Sequence, residues 1–353
     1  MYTDASTTHG STVEIASDTQ ALAHCEAGGL RYVDDAKPGI TRRTLRGKFA
    51  YFDRHGKRIK DECVVARINA LAIPPAYEQV WICPDATGHI QATARDARGR
   101  KQYRYHEQWS AVRDANKYQH LLDFARALPR IRRRVVHDLA LSGLHQDKVL
   151  AVVVRLLETT LIRIGTREYA RDNKSFGLTT LRRRHTSVKG GSIRFRFRGK
   201  SGVEHDVTVN DRRVAAVVKR CMELAGQQLF HYQDDEGELR MVDSGSVNSY
   251  LRDAGDGDFT AKHYRTWFGT VFALRALQDV PWESESQAKK AVVEVVRAVS
   301  GRLGNTPSVC RACYIHPKVI DAYLAGELPL RIAATGPRGL QADERRLFQF
   351  LQD

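Results

Sequence analysis

The sequence predicts an α+β protein in which a small β-rich N-terminal domain precedes a larger, mainly α-helical domain that carries a β-hairpin. Short runs of strand-forming residues, broken by Gly, Pro and Asp, fill residues 29–106. From about residue 109, apolar residues recur at helical spacing, with one alternating exception at residues 193–209. The predicted divisions are a disordered tail at 1–28, the β-rich domain at 29–108, the helical domain at 109–325 and a C-terminal extension at 326–353.

The charge balance restricts the class of partner. With 56 Lys and Arg against 41 Asp and Glu, the 353-residue chain has a formal net charge of +15. Such a charge favours a nucleic acid or a membrane surface as partner. No apolar run approaches the roughly 20 residues that cross a bilayer, so an integral membrane protein is excluded.

The N-terminal tail and the cysteines indicate the compartment. The tail is rich in Ser and Thr and lacks a basic stretch followed by an apolar one, which predicts disorder rather than a signal peptide. The six cysteines are scattered and predict no disulfide framework, so we expect a reducing cytoplasm.

The β-rich domain is predicted from three short runs. Residues 49–52 lead from a strand into a turn, and residues 80–83 and 89–94 form the two strands of a hairpin. Residues 73–77, which lie between the first strand and this hairpin, cannot be the interior of a helix, because Pro74 and Pro75 each remove a backbone donor.

A segment that mixes basic and aromatic side chains closes this domain. In contact with a nucleic acid, its cations could neutralise phosphates and its amide could bind a base edge. Its aromatic rings could pack on the sugar-phosphate backbone. A solvated basic loop with two tyrosines in the core explains the composition equally well. The residues concerned are Arg100, Lys101, Gln102, Tyr103 and Tyr105.

The helical domain is predicted to begin with two helices, at residues 118–128 and 148–164. Pro129 and the basic residues 130–134 lie between them as a cluster that either touches DNA or forms a solvated face. Residues 193–209 then predict a β-hairpin with Lys200 at its tip. A lysine at a turn is usually plain surface, so this position alone indicates little.

Four helices are predicted in the C-terminal third of the sequence. Thr260 is expected to cap a helix in which Lys262 and Arg265 share a face, away from an apolar face that packs inward. A second helix covers residues 287–300 and is broken by residues 301–304. Thr306 and Pro307 then start a short helix that reaches Tyr314 after about two turns, and a final helix covers residues 341–352.

In order along the chain, these segments resemble the type IB DNA topoisomerases of the compact bacterial and poxvirus kind. The resemblance covers roughly residues 29–325. The blocks that carry it are Ile73-Pro74-Pro75-Ala76-Tyr77, Gly88-His89-Ile90-Gln91-Ala92-Thr93, Gly99-Arg100-Lys101-Gln102-Tyr103, Ile162-Arg163-Ile164-Gly165, Phe176-Gly177-Leu178-Thr179-Thr180-Leu181, Gly199-Lys200, Lys262-His263-Tyr264-Arg265-Thr266 and Leu303-Gly304-Asn305-Thr306-Pro307 through to Tyr314.

The resemblance implies a role for each residue of a catalytic set. Tyr314 is expected to attack a phosphodiester and to become linked to a 3′-phosphate. Arg163 and Arg265 would hold the non-bridging oxygens, and Lys200, assisted by Lys262, would protonate the leaving 5′-oxygen. The remaining position is usually histidine in the poxvirus enzymes and is Asn305 here, which looks typical of the bacterial branch and excludes acid-base chemistry there.

The resemblance also implies how the protein works. We expect a monomer that closes as a C-shaped clamp on double-stranded DNA and relaxes supercoils without ATP, a metal ion or another cofactor. It would act in the cytoplasm, at the nucleoid. Contacts to DNA are expected from the basic and aromatic segment that closes the β-rich domain and, as a weaker candidate, from Tyr169.

Two other functions and one other site stay open. Tyrosine recombinases share the Arg, Lys, Arg, Tyr arrangement but typically have histidine where this chain has Lys262, and a non-enzymatic basic DNA-binding protein would explain the charge alone. Cys310 and Cys313 have the spacing of half a zinc site, but a single pair is weak evidence. The sequence contains no phosphate-binding loop of the Walker type and no carboxylate cluster suited to magnesium.

Overall fold

The computed structural model describes residue 25, residues 28–97 and residues 99–353, with backbone only at 110–117 and 119. The chain forms two compact units, Met1–Tyr118 and Gln119–Asp353. The first is β-rich and the second is mainly helical, so the predicted α+β class is confirmed. The tail predicted at residues 1–28 lies outside the described residues, apart from Cys25 and Gly28.

The N-terminal unit is built on one antiparallel sheet of five strands, in the order β2-β1-β3-β4-β5. A helix, α1 (Glu62–Ala70), packs Ile68 into the core of this sheet. The strands are β1 (Ile40–Leu45), β2 (Lys48–Phe52), β3 (Glu78–Ile82), β4 (Ile90–Arg95) and β5 (Lys101–Tyr105).

The predicted elements of this unit are confirmed. Strands β3 and β4 pair in antiparallel fashion, with Trp81 opposite Thr93. The connection that contains Pro74 and Pro75 is not helical, and the Arg42 guanidinium binds it by donating to the carbonyl oxygens of Pro74 (3.0 Å) and Tyr77 (2.6 Å).

The basic and aromatic segment forms the edge strand β5. Tyr103 and Tyr105 are 42% and 38% exposed, and their rings stack with centroids 5.8 Å apart. The alternative in which both tyrosines fold into the core is therefore wrong.

The C-terminal unit begins within a long helix that corrects one prediction. Helix α2 spans Glu107–Leu139, and Pro129 lies inside it rather than in a connection. A proline inside a helix costs roughly 3 kcal/mol, but this one is flanked by Leu128 and Ile131, which are completely buried, and their burial offsets the cost. The basic cluster is not simply a solvated face either, because Arg132 donates to the carboxylates of Glu158 (2.7 Å) and of the buried Glu344 (2.6 Å).

The next helix ends earlier than predicted. Helix α3 spans Gln146–Thr160, and Leu161 follows in the left-handed conformation, with φ of 55°. Residues 162–166 are therefore not helical. The backbone of Arg163 is held by the amide of Leu178, which donates to its carbonyl oxygen (2.9 Å). Gly177 is required here, because a Cβ at this position would lie 2.5 Å from the same oxygen.

The predicted hairpin is confirmed and belongs to a three-stranded sheet, in the order β6-β7-β8. Its strands are β6 (Thr186–Lys189), β7 (Ser192–Arg198) and β8 (Glu204–Asn210). Ile193, Phe195 and Phe197 are buried, and the arginines that alternate with them are exposed.

The predicted helices near the C-terminus are confirmed, with one change. Thr260 is the N-cap of helix α7 (Ala261–Gln278). Helix α8 (Glu285–Leu303) continues through Gly301 and ends at Gly304, which is left-handed with φ of 58°. The remaining elements of the unit are α4 (Arg167–Asn173), α5 (Arg212–Glu223), α6 (Ser244–Gly255), α9 (Pro307–Tyr314), α10 (Pro317–Leu324), α11 (Ala342–Gln352) and the short strands β9 (His231–Gln233) and β10 (Leu239–Met241).

No helix in the described part of the chain is both long enough and apolar enough to cross a membrane.

Candidate active site

A pocket of about 250 Å³ in the C-terminal unit brings together side chains from distant parts of the sequence. Its lining contains two phenols and four cationic groups, and no carboxylate of a described residue lines it. An anion is therefore the ligand that its electrostatics favour. The residues that line it are Arg163, Ile164, Gly165, Thr166, Tyr169, Ser175, Phe176, Lys200, Ala261, Lys262, Arg265 and Tyr314.

Tyr314 is the last residue of helix α9 and is half-buried in the pocket. The helix starts as predicted, with the Thr306 hydroxyl accepting from the Val309 amide (3.4 Å) and Pro307 in the first turn. The backbone of Tyr314 packs closely on helix α7, because a Cβ at Gly269 would lie 2.6 Å from its carbonyl oxygen. Two helices thus fix the position from which the phenol points.

Arg265 lies behind the phenol and is only 4% exposed. Its two terminal nitrogens donate to the carbonyl oxygens of Leu161 and Leu303 (2.7 Å for the latter). Its Nε has no hydrogen-bond partner among the residues that the structure describes. The guanidinium carbon lies 5.0 Å from the centroid of the Tyr314 ring. Nε is therefore a donor without a partner in the described part of the chain, and the guanidinium also interacts with the Tyr314 side chain.

The charge of Arg265 is retained in spite of its burial. Burial, and after it the neighbouring Arg163, lower the pKa of this guanidinium to about 10, although Tyr314 acts in the opposite direction. At neutral pH the side chain is still cationic. Two arginines held this close repel each other, so an anion between them would be stabilised.

Arg163 is half-buried and is held by the segment that follows helix α8. It donates to the carbonyl oxygen of Gly304 (3.1 Å) and to the side-chain oxygen of Asn305. Asn305 is not among the residues that line the pocket, and its Nδ2 is buried without a partner in the described part of the protein. In this structure Asn305 thus acts on the pocket by orienting Arg163.

The two lysines lie at the open side of the pocket, and both are exposed. Lys200 lies in the turn between β7 and β8, where Ser201 and Gly202 have positive φ angles of 62° and 79°, and its Nζ is 5.4 Å from the centroid of the Tyr169 ring. Lys262 lies in the first turn of α7, where the positive end of the helix dipole adds to its charge.

The predicted site residues thus form two groups. Tyr314, Arg163, Lys200, Lys262 and Arg265 line one pocket together with Tyr169, and Asn305 contacts it through Arg163. The candidates for DNA contact in β5 belong to the N-terminal unit instead.

Within the N-terminal unit, three of those polar candidates already bind acidic neighbours. Lys101 pairs with Asp35 (2.5 Å), and both Arg100 (2.6 Å) and Gln102 (3.0 Å) donate to Asp96.

Sequence interpretation missed His205, which lies behind the pocket. It follows Lys200 by five residues. In β8 it lies on the same face as Val207 and Val209, which is the face that packs inward. A polar residue at an inward position of a strand is the signal that would have identified it.

Cys310 and Cys313 give little support to a metal site. Cys310 is buried, and burial raises the pKa of its thiol to about 11. Among the residues that the structure describes, no group of three or more His, Cys, Asp or Glu side chains could hold a metal ion.

Comparisons with known proteins agree with the sequence interpretation. Residues 106–326 match a family model described as the catalytic core of eukaryotic DNA topoisomerase I, and residues 48–96 match one described as the N-terminal domain of bacterial DNA topoisomerase IB.

Viral proteins are similar over most of the chain. A DNA topoisomerase 1B of Acanthamoeba polyphaga mimivirus is 28% identical over 294 residues, which cover 81% of this chain and 87% of the relative. A DNA topoisomerase 1B of Vaccinia virus (strain Copenhagen) is 21% identical over 249 residues, and a DNA topoisomerase 1 of Rabbit fibroma virus (strain Kasza) is 23% identical over 254 residues. Each of these two matches covers 69% of this chain and 75% of the relative.

Proposed function

The chain belongs to the DNA topoisomerase I family, as a type IB enzyme, and on that premise we propose that it relaxes supercoiled duplex DNA by cutting and rejoining one strand through Tyr314. The observation that carries this proposal is the pocket itself. The phenols of Tyr314 and Tyr169 and four cations from separate segments line it without a carboxylate among the described residues. This composition suits attack on a phosphodiester.

The proposed cleavage step is a single displacement at phosphorus. The Tyr314 oxygen forms a bond to the phosphorus while the bond from phosphorus to the 5′-oxygen breaks. The phenol loses its proton to solvent, and the leaving 5′-oxygen gains one from Lys200. The phosphate remains on the 3′-end, now as an ester of Tyr314. Religation is the same step in reverse, and because the ester conserves the energy of the original bond, ATP is not needed.

The two arginines would supply most of the stabilisation. A free phenol has a pKa near 10, so its reactive anion is scarce at neutral pH. Arg163 and Arg265 offer planar donors to the non-bridging oxygens, on which negative charge builds up in the transition state. Because the carbonyl oxygens of Leu161, Leu303 and Gly304 hold these two guanidinium groups, little reorganisation is needed when the phosphate binds.

The lysines would act on the leaving group. General acid catalysis typically accelerates such a step by ~10²–10⁴-fold. Lys200 lies on an exposed turn and can move from the Tyr169 ring towards a bound phosphate, whereas Lys262 is fixed on the first turn of α7. We therefore assign proton donation to Lys200 and assistance to Lys262.

Substrate contacts and working state belong to the same proposal. The exposed rings of Tyr103 and Tyr105 offer apolar surface to the sugar-phosphate backbone, and Tyr169 lies at the pocket, where it would contact the cleaved strand. We also propose that a single chain acts as a clamp on double-stranded DNA, in the cytoplasm and at the nucleoid.

Plasmid relaxation tests this function. Negatively supercoiled plasmid is incubated with the protein in EDTA and without ATP. We expect relaxation by the native chain and by Tyr232→Phe, a matched change in β9 outside the pocket, and none by Tyr314→Phe. Relaxation by Tyr314→Phe would reject the nucleophile, and no relaxation by any variant would reject the function. A site-specific recombinase or a simple DNA-binding protein would leave the plasmid supercoiled.

A further inference from the structure

The ring of His205 fills a narrow space behind the pocket. It stacks on the Phe197 ring, with centroids 4.7 Å apart and the planes at 7°. It also approaches two glycines so closely that neither could carry a side chain. A Cβ at Gly199 would lie 2.5 Å from His205 Nε2, and a Cβ at Gly304 would lie 2.7 Å from its Cε1.

These two glycines begin the segments that carry catalytic groups. Gly199 precedes Lys200, and its amide donates to the carbonyl oxygen of Val203 (2.7 Å), which closes the turn. Gly304 precedes Asn305, and both accept hydrogen bonds from Arg163. The His205 ring therefore touches the turn of the proposed acid on one side and the anchor of a phosphate-binding arginine on the other.

His205 does not line the pocket, so contact with the phosphate is not its role. The charged groups that act on it are Arg163, Arg265 and, on its own strand, Glu204. Burial, followed by the two arginines, lowers the pKa of the imidazole, so the ring is neutral at neutral pH. Because the ring is uncharged, it can lie close to two guanidinium groups without electrostatic repulsion. His205 also lines a second cavity, of about 470 Å³, whose charged lining residues include Glu158, Asp206 and Arg302.

We propose that His205 is a positioning residue, which sets the distance between the turn that carries Lys200 and the segment of Gly304 and Asn305 that anchors Arg163. This inference rests on the proposed function and adds a residue to it. Removing the ring would let the Lys200 turn shift, and a misplacement of about 1 Å can cost ~10²-fold in rate. Binding of DNA would be unaffected, because the ring does not contact the ligand.

The first experiment compares two leaving groups at a mapped cleavage site. In one duplex the bridging 5′-oxygen is intact, and in the other it is replaced by sulfur. A thiolate leaves without a proton, so the sulfur duplex does not need the acid. We expect His205→Ala to cut the oxygen duplex about 10- to 100-fold more slowly at saturating DNA and to recover most of this loss with sulfur. Val209→Ala, a matched loss of buried volume on the same strand face, should cut both at the native rate.

The outcomes separate the inference from the function on which it rests. Failure of sulfur to rescue His205→Ala, while it rescues Lys200→Ala, would overturn the positioning role alone. Failure to rescue Lys200→Ala would instead remove Lys200 as the acid. If His205→Ala is poorly folded, His205→Phe keeps a stacked ring and should cleave the oxygen duplex at close to the native rate. A loss in His205→Phe as large as that in Lys200→Ala would also overturn the positioning role.

A double-mutant cycle tests the contact itself. Gly199 has an ordinary φ of −93°, so Gly199→Ala introduces no backbone strain, and the atoms that its Cβ would meet most closely belong to His205. We expect Gly199→Ala to slow cleavage in the native background and to have little effect in the His205→Ala background. Equal effects in the two backgrounds would show that the ring does not set the position of the turn.

Discussion

Arg265→Lys keeps the positive charge of the pocket and removes the planar fork that the structure uses. Arg265 holds the carbonyl oxygens of Leu161 and Leu303 with its terminal nitrogens, while its Nε has no partner among the described residues. Lysine has three donors on one nitrogen and cannot reach both carbonyl groups and the phosphate. The change therefore separates charge from geometry.

The expected loss follows from the hydrogen bonds involved. A hydrogen bond to a charged group contributes about 1.5–3 kcal/mol. Each 1.36 kcal/mol of lost transition-state stabilisation is tenfold in rate, so cleavage should slow by about 10- to 150-fold. Leaving a buried carbonyl group without its donor costs about 1–3 kcal/mol of unfolding free energy as well. Both a slower reaction and a lower Tm are thus expected.

Single-turnover cleavage at saturating DNA measures the first effect, and thermal unfolding measures the second. Arg275→Lys is the matched control, because Arg275 lies on the same helix, is exposed and pairs with Asp279 and Asp343 (3.3 Å each) away from the pocket. It should cleave at the native rate. If Arg265→Lys also cleaved at the native rate while its Tm fell, Arg265 would be a structural residue, and its proposed contact with the phosphate would be refuted.

Three further predictions concern DNA binding and pH. The affinity for duplex DNA should fall steeply with salt, with a slope of about 0.9 logarithmic units per phosphate contact, and a flat titration would contradict a phosphate-binding surface. Tyr103→Ala should slow cleavage at preferred sites while the Tm stays within about 1 °C, since the ring is 42% exposed; a large drop in Tm with native cleavage would contradict this. The ring of His263 is partly buried against Phe124 and Phe259, and this burial lowers its pKa to about 4. Between about pH 6.5 and pH 4 the unfolded chain therefore binds a proton that the folded chain does not. As the pH decreases through this range, the protonation of this histidine in the unfolded chain should lower the unfolding free energy by up to about 1.4 kcal/mol per pH unit. Denaturant titrations should show a smaller pH dependence of the unfolding free energy in His263→Gln than in the native protein.

Local sequence patterns predicted the elements that depend on local physics. The alternation of residues 193–209 specifies a hairpin, and Thr306 with Pro307 specifies the start of the helix that ends at Tyr314. The grouping of Arg163, Lys200 and Arg265 came from the family resemblance, since nothing in their spacing brings them together. Long-range contacts were needed to put them in one pocket.

The errors have the same origin. Pro129 stays inside a helix because the residues around it are buried by distant parts of the unit. The end of helix α3 is set by the left-handed Leu161, which presents its carbonyl oxygen to Arg265, more than a hundred residues away. The basic Arg132 is buried because Glu344, in the C-terminal helix, reaches it. None of these partners is visible in a local window of sequence.

The most direct test of the account is to identify the residue that becomes attached to DNA. A duplex labelled on the strand that is cut is incubated with the protein, the reaction is stopped with detergent, and the adduct is digested and sequenced by mass spectrometry. We predict that Tyr314 carries the label through the 3′-phosphate of the cut strand, and that the other fragment is released with a 5′-hydroxyl. Attachment to another residue, or to a 5′-phosphate, would contradict the account, and so would the absence of any adduct in a preparation that relaxes plasmid.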